Sequence, residues 1–164
     1  MSLYVQWINT IKTTSDESWL TEQQLIAYRA ISSRWLSVPF VCLWGEPGSG
    51  KTFVARLLVK HHGYDYAHTL SELPEGSSLS LYDDAEYTRL TRVETAERNL
   101  KRVVLIMRRP PRDVMPCVEL KLTDRDVEKF RANLRRHKIV PTFNVEENTH
   151  NLERILCSEA LSRG

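Results

Sequence analysis

The segment CLWGEPGSGKTF, residues 42–53, decides the fold that we expect for this 164-residue chain. It begins inside the apolar run PFVCLW, which starts at Pro39, and it leads into KTFVARLLVKHH, which has a helical pattern and stops at Gly63. A short apolar run bounded by proline and glycine is typical of a buried strand in a parallel sheet. The sequence therefore predicts a strand, a glycine-rich turn and a helix in immediate succession, as in α/β proteins.

The glycine-rich turn has the spacing of a phosphate-binding loop: a glycine, four variable residues and the triplet Gly-Lys-Thr. Its glycines let the backbone approach a ligand closely, so that consecutive amide N–H groups point at phosphate oxygens. We expect Lys51 to reach the β and γ phosphates and the hydroxyl of Thr52 to bind Mg²⁺. The strand before the turn and the helix after it argue against a glycine-rich turn that binds nothing. The predicted phosphate-binding residues are Gly45, Glu46, Pro47, Gly48, Ser49, Gly50, Lys51, Thr52 and Phe53.

A second part of the same site is predicted where the run SLSLYDDAE ends in acids. Its apolar residues predict a strand, and Asp83 then lies where that strand emerges beside the phosphates. We expect Asp83 to hold Mg²⁺ together with Thr52 and water, and Asp84 to polarise an attacking water, a role that Glu86 could also fill. The alternative is a solvated acidic turn, but a position downstream of a phosphate-binding loop favours the metal site. The predicted catalytic residues are Lys51, Asp84 and Glu86.

The rest of the chain alternates between apolar runs and helical patterns. Strands are predicted in YDYAHTL, VVLIM and CVELKL, besides the two already described. Helices are predicted after the capping residues Thr21 and Thr123, the second ending at about residue 139, and over RLTRVETAERNLKR and NLERILCSEAL. This order predicts an α/β fold in which helices cross over a mostly parallel sheet.

Composition limits the classes of protein to consider. With a net charge of +2 and 27% charged residues, the overall balance indicates neither a nucleic-acid-binding nor a membrane-surface protein. Cys42, Cys117 and Cys157 are odd in number and widely spaced, which suits buried thiols in a reducing compartment better than disulfides or a zinc site. No apolar run approaches the roughly 20 residues that span a bilayer, and the first residues lack the layout of a signal peptide. We therefore expect a cytoplasmic protein without membrane contact.

Six segments give the chain a family resemblance. They are SWLTEQQLIAYRAI, VCLWGEPGSGKTFVARLL, YDDAE, LIMRRPPRDV, VELKLTDRD and NLERIL, within residues 18 to 162. In these segments the chain resembles the AAA+ P-loop ATPases of the bacterial replication-initiator (DnaA/Hda-like) group. The resemblance implies an αβα sandwich core of residues 1–122, with residues 1–18 as an N-terminal extension, and a small helical lid of residues 123–164. It also implies an ATP or ADP site with Mg²⁺ between core and lid, with Trp19 and Leu20 near the adenine and Arg154 reaching the phosphates from the lid.

The chain departs from that group at two places. Where the family has a polar residue that senses the γ phosphate, just before the Arg-Pro-Pro segment, this chain has Met107 or Arg108. Only Met115, Pro116 and Cys117 separate PPRDV from VELKL, where the family has a longer segment with an arginine that reaches a neighbouring subunit's site. Because such an arginine is worth orders of magnitude in rate, the resemblance implies nucleotide binding with weak hydrolysis.

Basic residues between positions 89 and 112 are candidates for contact with a partner. They could bind the DNA backbone without reading its sequence, or dock an acidic protein. The basic face of the helix after Thr123 is interpreted as solvated, because exposed charges are the rule on amphipathic helices. Neighbouring histidines point to different sides of a helix, so His61 and His62, with His68, do not predict a zinc site. The candidate DNA contacts are Arg89, Arg92, Arg98, Arg102, Arg108 and Arg109.

Three functions fit these observations. The first is a nucleotide switch or weak Mg²⁺-dependent ATPase that acts with a protein partner or DNA, in replication control or another DNA transaction. The second is a small-molecule phosphotransferase, since kinases share the phosphate-binding loop, although the acid pair suits activation of water better. The third is an adaptor that binds nucleotide without hydrolysing it. The same core hosts all three, so the fold alone does not decide between them.

Overall fold

A parallel sheet organises the part of the chain that the computed structural model describes, which is residues 16–137 with Asn9, Thr13, Asn151, Leu152 and Ile155. Its five strands are β1 Phe40–Trp44, β2 Asp65–Ala67, β3 Ser80–Tyr82, β4 Val103–Met107 and β5 Cys117–Glu119. The strand order is β2-β3-β4-β1-β5, and every neighbouring pair runs parallel. This sheet confirms the predicted α/β fold.

Within the described residues, the strands are connected and flanked by the helices α1 Glu22–Arg29, α2 Lys51–His62, α3 Arg89–Glu97 and α4 Asp124–Arg136. A π-helical turn, Ala30–Arg34, continues α1. The predicted caps at Thr21 and Thr123 are both present as capping boxes, and α2 ends at Gly63 in the left-handed conformation. None of the helices in this part of the chain is long and apolar enough to cross a membrane.

The helix predicted over residues 89–102 is shorter than expected. α3 ends at Glu97, and Asn99 follows with a φ of 52°. Asparagine tolerates this left-handed conformation better than most residues, and the turn leads the chain into β4. The predicted C-terminal helix lies mostly outside the described residues: Leu152 and Ile155 are helical, whereas Arg154 is not among those described.

Alternation along the central strands sends apolar side chains to both faces of the sheet. On one face, Val41, Leu43 and Ile106 belong to a buried cluster that includes residues of α1, α2 and α4. On the other face, Cys42 and Leu105 pack in a second cluster with residues from segments 67–73 and 85–100. Because both faces are covered, the described part of the chain is an αβα sandwich of the P-loop type.

Asp126 connects the start of α4 to the start of α1. Its side chain is fully buried, and its carboxylate accepts bonds from the amide of Gln23 at 3.0 Å and from the amide and hydroxyl of Thr123 at 2.7 Å. Burial raises the pKa of the carboxyl, but these bonds outweigh burial and hold the pKa below its usual value of 3.8. This contact joins the predicted core to the predicted lid. The division of the chain into these two parts at residue 122 stays a prediction.

We expect Asp126→Asn to lower the free energy of unfolding at neutral pH by about 1–3 kcal/mol, because the backbone amides of Gln23 and Thr123 lose a charged acceptor. The folded pKa is below the unfolded one, so the carboxylate stabilises the fold above pH 3.8, and this contribution disappears as the pH falls through the folded pKa. Urea titrations of the two proteins should therefore converge at acidic pH. The control is Glu128→Gln, an exposed change on the same helix. A difference that stays constant with pH would contradict the role given to Asp126.

Candidate functional site

The predicted phosphate-binding loop lies at the carboxyl edge of the sheet, where β1 ends. The amide of Gly45 donates to the carbonyl of Met107 at the end of β4, at 3.2 Å, and the amide of Leu120 donates to the carbonyl of Trp44 at 2.8 Å. The loop is thus anchored between β4 and the segment that follows β5. Ligands of open α/β sheets bind outside the carboxyl ends of the strands, so the loop occupies the expected edge.

The glycines of the loop are required for different structural reasons. Gly48 and Gly50 have φ values of 80° and 89°, a left-handed conformation that residues with side chains rarely adopt. Gly50 also caps α2, whose first-turn amides have no acceptor within the helix and suit an anion. Gly45 is required by a close approach, because a Cβ atom there would lie 2.5 Å from the carbonyl oxygen of Leu120.

Lys51 places its own positively charged ammonium group inside the loop. Its Nζ donates to the carbonyl of Gly45 at 2.6 Å and to that of Glu46 at 2.9 Å. Burial lowers the pKa of the ammonium, while the nearby charge of Asp83 acts in the opposite direction. Among the described residues, the buried hydroxyl of Ser49 has no hydrogen-bond partner. A phosphate group would satisfy both the desolvated ammonium and this hydroxyl, so the loop fits the anion predicted for it.

Thr52 and Asp83 meet although β1 and β3 are not neighbours. β4 lies between these two strands, and the hydroxyl of Thr52 donates to Oδ2 of Asp83 across this gap at 3.3 Å. Asp83 is only 5% exposed. A hydroxyl and a carboxylate so placed supply the oxygen ligands that Mg²⁺ takes from proteins when water and phosphates complete its shell. The structure therefore brings together the two residues predicted to bind the metal.

Tyr66 belongs to the same arrangement, and the sequence did not single it out. Its hydroxyl also donates to Oδ2 of Asp83, and the guanidinium of Arg56 lies 4.1 Å from the centre of its ring. Burial and the bond to Asp83 raise the pKa of Tyr66, so the phenol remains a donor at neutral pH. Two hydroxyl donors thus orient one carboxylate oxygen. In the sequence, Tyr66 is one tyrosine of a predicted strand. Nothing there shows that this strand pairs with β3, which brings the hydroxyl to Asp83.

Asp84 follows the buried Asp83 in the sequence and is itself exposed. Its φ of 53° is left-handed, and its side chain is 65% exposed. Oδ1 lies 3.9 Å from Nη2 of Arg108, and Oδ2 lies 3.8 Å from Nδ1 of His68. Both oxygens of the predicted catalytic carboxylate therefore face basic side chains. Glu86 is also exposed, and its carbonyl accepts from the hydroxyl of Thr91 in the first turn of α3.

The segment expected near the adenine contacts the loop through a residue that follows it. Trp19 is buried, with its ring stacked on His137 at 3.9 Å between centroids, and Leu20 lies in the hydrophobic core. The side-chain amide of Gln24 donates to the carbonyl of Ser49 at 3.3 Å. This segment thus borders the loop, and an adenine contact by Trp19 or Leu20 stays a prediction.

The C-terminal part of the chain also reaches the loop. The amide of Leu152 donates to the carbonyl of Gly48 at 2.8 Å, and the side-chain amide of Asn151 donates to the carbonyl of Pro47 at 3.4 Å. These bonds bring the first residues of the predicted final helix onto the loop. Arg154, which was expected to reach the phosphates, lies outside the described residues, so its role stays a prediction.

The six arginines predicted to contact DNA do not form one surface. Arg102 is 4% exposed and donates to the carbonyl of Ile31 at 2.7 Å, so the prediction is wrong for this residue. Arg98 is half-buried and donates to the carbonyl of Leu73. Nothing in a basic run of sequence marks such an arginine, because its carbonyl partner lies far away along the chain. The exposed members are Arg89, Arg92, Arg108 and Arg109.

The described residues contain no group of three or more histidines, cysteines or acids that could hold a metal ion. His62 instead lies 3.0 Å from the hydroxyl of Tyr28. Cys42 and Cys117 are partner positions on β1 and β5 and are both free thiols. A Mg²⁺ site at Thr52 and Asp83 is compatible with this finding, because Mg²⁺ needs few protein ligands when water and nucleotide phosphates supply the others.

Comparison with known proteins adds no assignment to this geometry. No protein-family model matches the chain, and no curated protein matches it. The candidate site therefore depends on the loop at the end of β1, the Thr52–Asp83 contact and the exposed carboxylate of Asp84.

We expect Gly45→Ala to distort the loop, because the new methyl group would collide with the backbone of Leu120. Overpacking of this kind costs about 1–3 kcal/mol. The control is Gly63→Ala, where a Cβ would meet no atom within 4 Å and only the left-handed backbone is strained. Backbone amide spectra should show Gly45→Ala shifting the signals of residues 46–52, whereas Gly63→Ala should leave them in place. Identical loop spectra in wild type and Gly45→Ala would show that this close approach does not exist.

Proposed function

We propose that the chain binds the Mg²⁺ complex of ATP or ADP at the loop of residues 45–52 and acts as a nucleotide switch with weak ATPase activity. The observation that carries this proposal is the 3.3 Å hydrogen bond from Thr52 to Asp83. A phosphate-binding loop alone is compatible with many ligands. A buried carboxylate bonded to the threonine of that loop favours a metal-bound phosphate, because the two residue types are those that hold Mg²⁺ in P-loop proteins.

The residues of the loop divide the work of binding. The first-turn amides of α2 would donate to phosphate oxygens, and Nζ of Lys51 would exchange the carbonyls of Gly45 and Glu46 for the β and γ phosphates. Thr52 and Asp83 would hold Mg²⁺, with Tyr66 keeping the carboxylate oriented. When bound, Mg²⁺ supplies positive charge that neutralises the phosphates.

The surroundings of Asp84 favour a switch over a fast ATPase. Asp84 is the group predicted to polarise a water molecule, but both of its oxygens face basic side chains, Arg108 and His68, in this conformation. A water molecule would have to compete with these two side chains for the carboxylate. The adjacent acids Asp83 and Asp84 favour an ATPase, which activates water, over a small-molecule phosphotransferase. If the chain binds nucleotide without hydrolysing it, it is an adaptor.

A DNA transaction is the proposed biological context. The resemblance to the replication-initiator group of AAA+ ATPases supports a role in replication control or another DNA transaction. The exposed arginines between positions 89 and 112, Arg89, Arg92, Arg108 and Arg109, are the candidates for contact with a protein partner or with the DNA backbone. Two bonds from Asn151 and Leu152 to the loop offer a route by which bound nucleotide would affect the predicted lid.

We expect Lys51→Ala to lower the affinity for both ATP and ADP by at least about tenfold, since charge-assisted contacts to phosphate are among the stronger hydrogen bonds. Isothermal titration calorimetry in Mg²⁺ measures both affinities. The matched control is Lys129→Ala, which removes an exposed lysine of α4 and should leave them unchanged. Unchanged ATP affinity in Lys51→Ala would end the assignment of the loop.

The adjacent acids should separate metal binding from turnover. Asp83→Asn should remove the part of the ATP affinity that depends on Mg²⁺ and leave the affinity in excess chelator unchanged. Asp84→Asn should keep the ADP affinity within about twofold, a change below 0.5 kcal/mol, and abolish phosphate release. Phosphate release by Asp84→Asn at the wild-type rate would move the catalytic role to Glu86 or elsewhere.

A further inference from the structure

We propose that the outer face of α3, formed by Arg89, Leu90, Val93 and Glu97, docks a second copy of this chain. The two copies of α3 pack antiparallel across a two-fold axis at Val93. This contact goes beyond nucleotide binding and does not depend on it. Three features of α3 support it: apolar side chains on the exposed face, a charge order that opposes the helix dipole, and a sequence that is complementary to its own reverse.

α3 exposes its large apolar residues and buries small polar ones. Leu90 is 70% and Val93 is 44% exposed, and both lie outside the two core clusters of the described residues. The buried residues are Thr91 and Thr95, whose hydroxyls donate to the carbonyls of Glu86 at 3.2 Å and Thr91 at 2.7 Å. A surface helix normally turns its apolar stripe towards the core. Exposed apolar surface with charges around it is typical of a contact surface between proteins.

Val93 points directly away from the core. Successive residues of a helix are about 100° apart, so Val93 lies opposite the midpoint of the buried Thr91 and Thr95. Arg89 and Glu97, four residues before and after Val93, lie within about 40° of its direction. Both are exposed. The outer face thus presents an arginine, a valine and a glutamate, each about one turn from the next.

The charges of this face are in the unfavourable order for a single helix. Arg89 begins α3 and Glu97 ends it, while the first turn holds no acid and the last turn no base. The helix dipole favours the opposite order, with anions near the N-terminus and cations near the C-terminus. An antiparallel second copy corrects this order, because its glutamate lies at the N-terminus of α3 and its arginine at the C-terminus.

The sequence of α3, RLTRVETAE, matches its own reverse in charge. Across a two-fold axis at Val93, Arg89 meets Glu97 of the second copy, and Glu97 meets the second copy's Arg89. Each residue of such an interface contacts the residue that contacts it, as two-fold symmetry requires. Packed helices lie about 8–10 Å apart, a distance that long charged side chains can bridge. A parallel pair would instead place like charges together, so the charges select the antiparallel arrangement.

Arg92 belongs to the side of α3 and is engaged within its own chain. Its Nη2 lies 3.4 Å from Oδ2 of Asp113, and its Nε donates to the hydroxyl of Tyr87. On the helix it lies about 100° from the direction of Val93. Arg89 is therefore the arginine of α3 that faces the second copy.

The length of α3 limits the strength of the association. Its nine residues span about 14 Å. Stable dimers bury about 1,600 Å² of surface in total, and one pair of short helices buries much less. We therefore expect a reversible dimer with a dissociation constant between about 10 µM and 1 mM.

Sedimentation equilibrium without nucleotide, at chain concentrations up to about 1 mM, tests this contact. We expect Arg89→Glu and Glu97→Arg each to weaken wild-type dimerisation by about tenfold or more, because each change opposes two pairs of like charges. The matched control is Arg125→Glu, the same charge change at the exposed start of α4, which should leave the dissociation constant unchanged. A wild type that stays monomeric over this range would overturn the inference.

Mixing the two charge variants tests the pairing itself. Arg89→Glu chains carry acids at both ends of the outer face, and Glu97→Arg chains carry bases at both ends. Their equimolar mixture should therefore form dimers, although each variant alone does so poorly, and the double variant should dimerise like the wild type. Failure of the mixture to associate would overturn the pairing even if the wild type dimerises through another surface. Weaker dimerisation in Arg89→Glu but not in Glu97→Arg would also overturn it.

Discussion

The hydrogen bond from Thr52 to Asp83 spans the width of one strand, and the rest of the site depends on it. Neighbouring strands lie about 4.8 Å apart, so β1 and β3 are separated by roughly twice that distance. Asp83 directly follows β3, and Thr52 lies at the start of α2, after the loop that follows β1. The two side chains can therefore meet beyond the carboxyl end of β4. The parallel direction of all three strands is therefore the constraint that places a hydroxyl, a carboxylate and a lysine in one space.

Features set by neighbours in sequence were predictable, and features set by strand pairing were not. The caps at Thr21 and Thr123 and the left-handed end of α2 at Gly63 follow from a few adjacent residues. Tyr66 reaches Asp83 because β2 pairs with β3, and the buried Arg102 finds its acceptor in the carbonyl of Ile31, 71 residues away in the sequence. Neither partner can be recognised in the sequence around these residues, so a site residue was missed and a buried arginine was assigned to the surface.

The cations described at the carboxyl edge have partners that a bound phosphate could replace. Lys51 bonds to loop carbonyls, and Arg108 faces an exposed Asp84 at a distance longer than a hydrogen bond. A phosphate chain offers both cations a stronger partner. Bound nucleotide would thus rearrange side chains on the loop, on the acid pair and at the start of the arginine-rich segment after β4. Such a rearrangement is what a switch needs, because it changes a surface according to the ligand.

The most direct test of the central claim is a crystal structure of the chain grown with Mg²⁺ and a non-hydrolysable ATP analogue. The account predicts phosphate density on the first-turn amides of α2 and on Lys51, with a metal ion bound to the hydroxyl of Thr52 and held on the side of Asp83. A nucleotide bound elsewhere, or a metal ion bound without contact to Thr52 and Asp83, would contradict it.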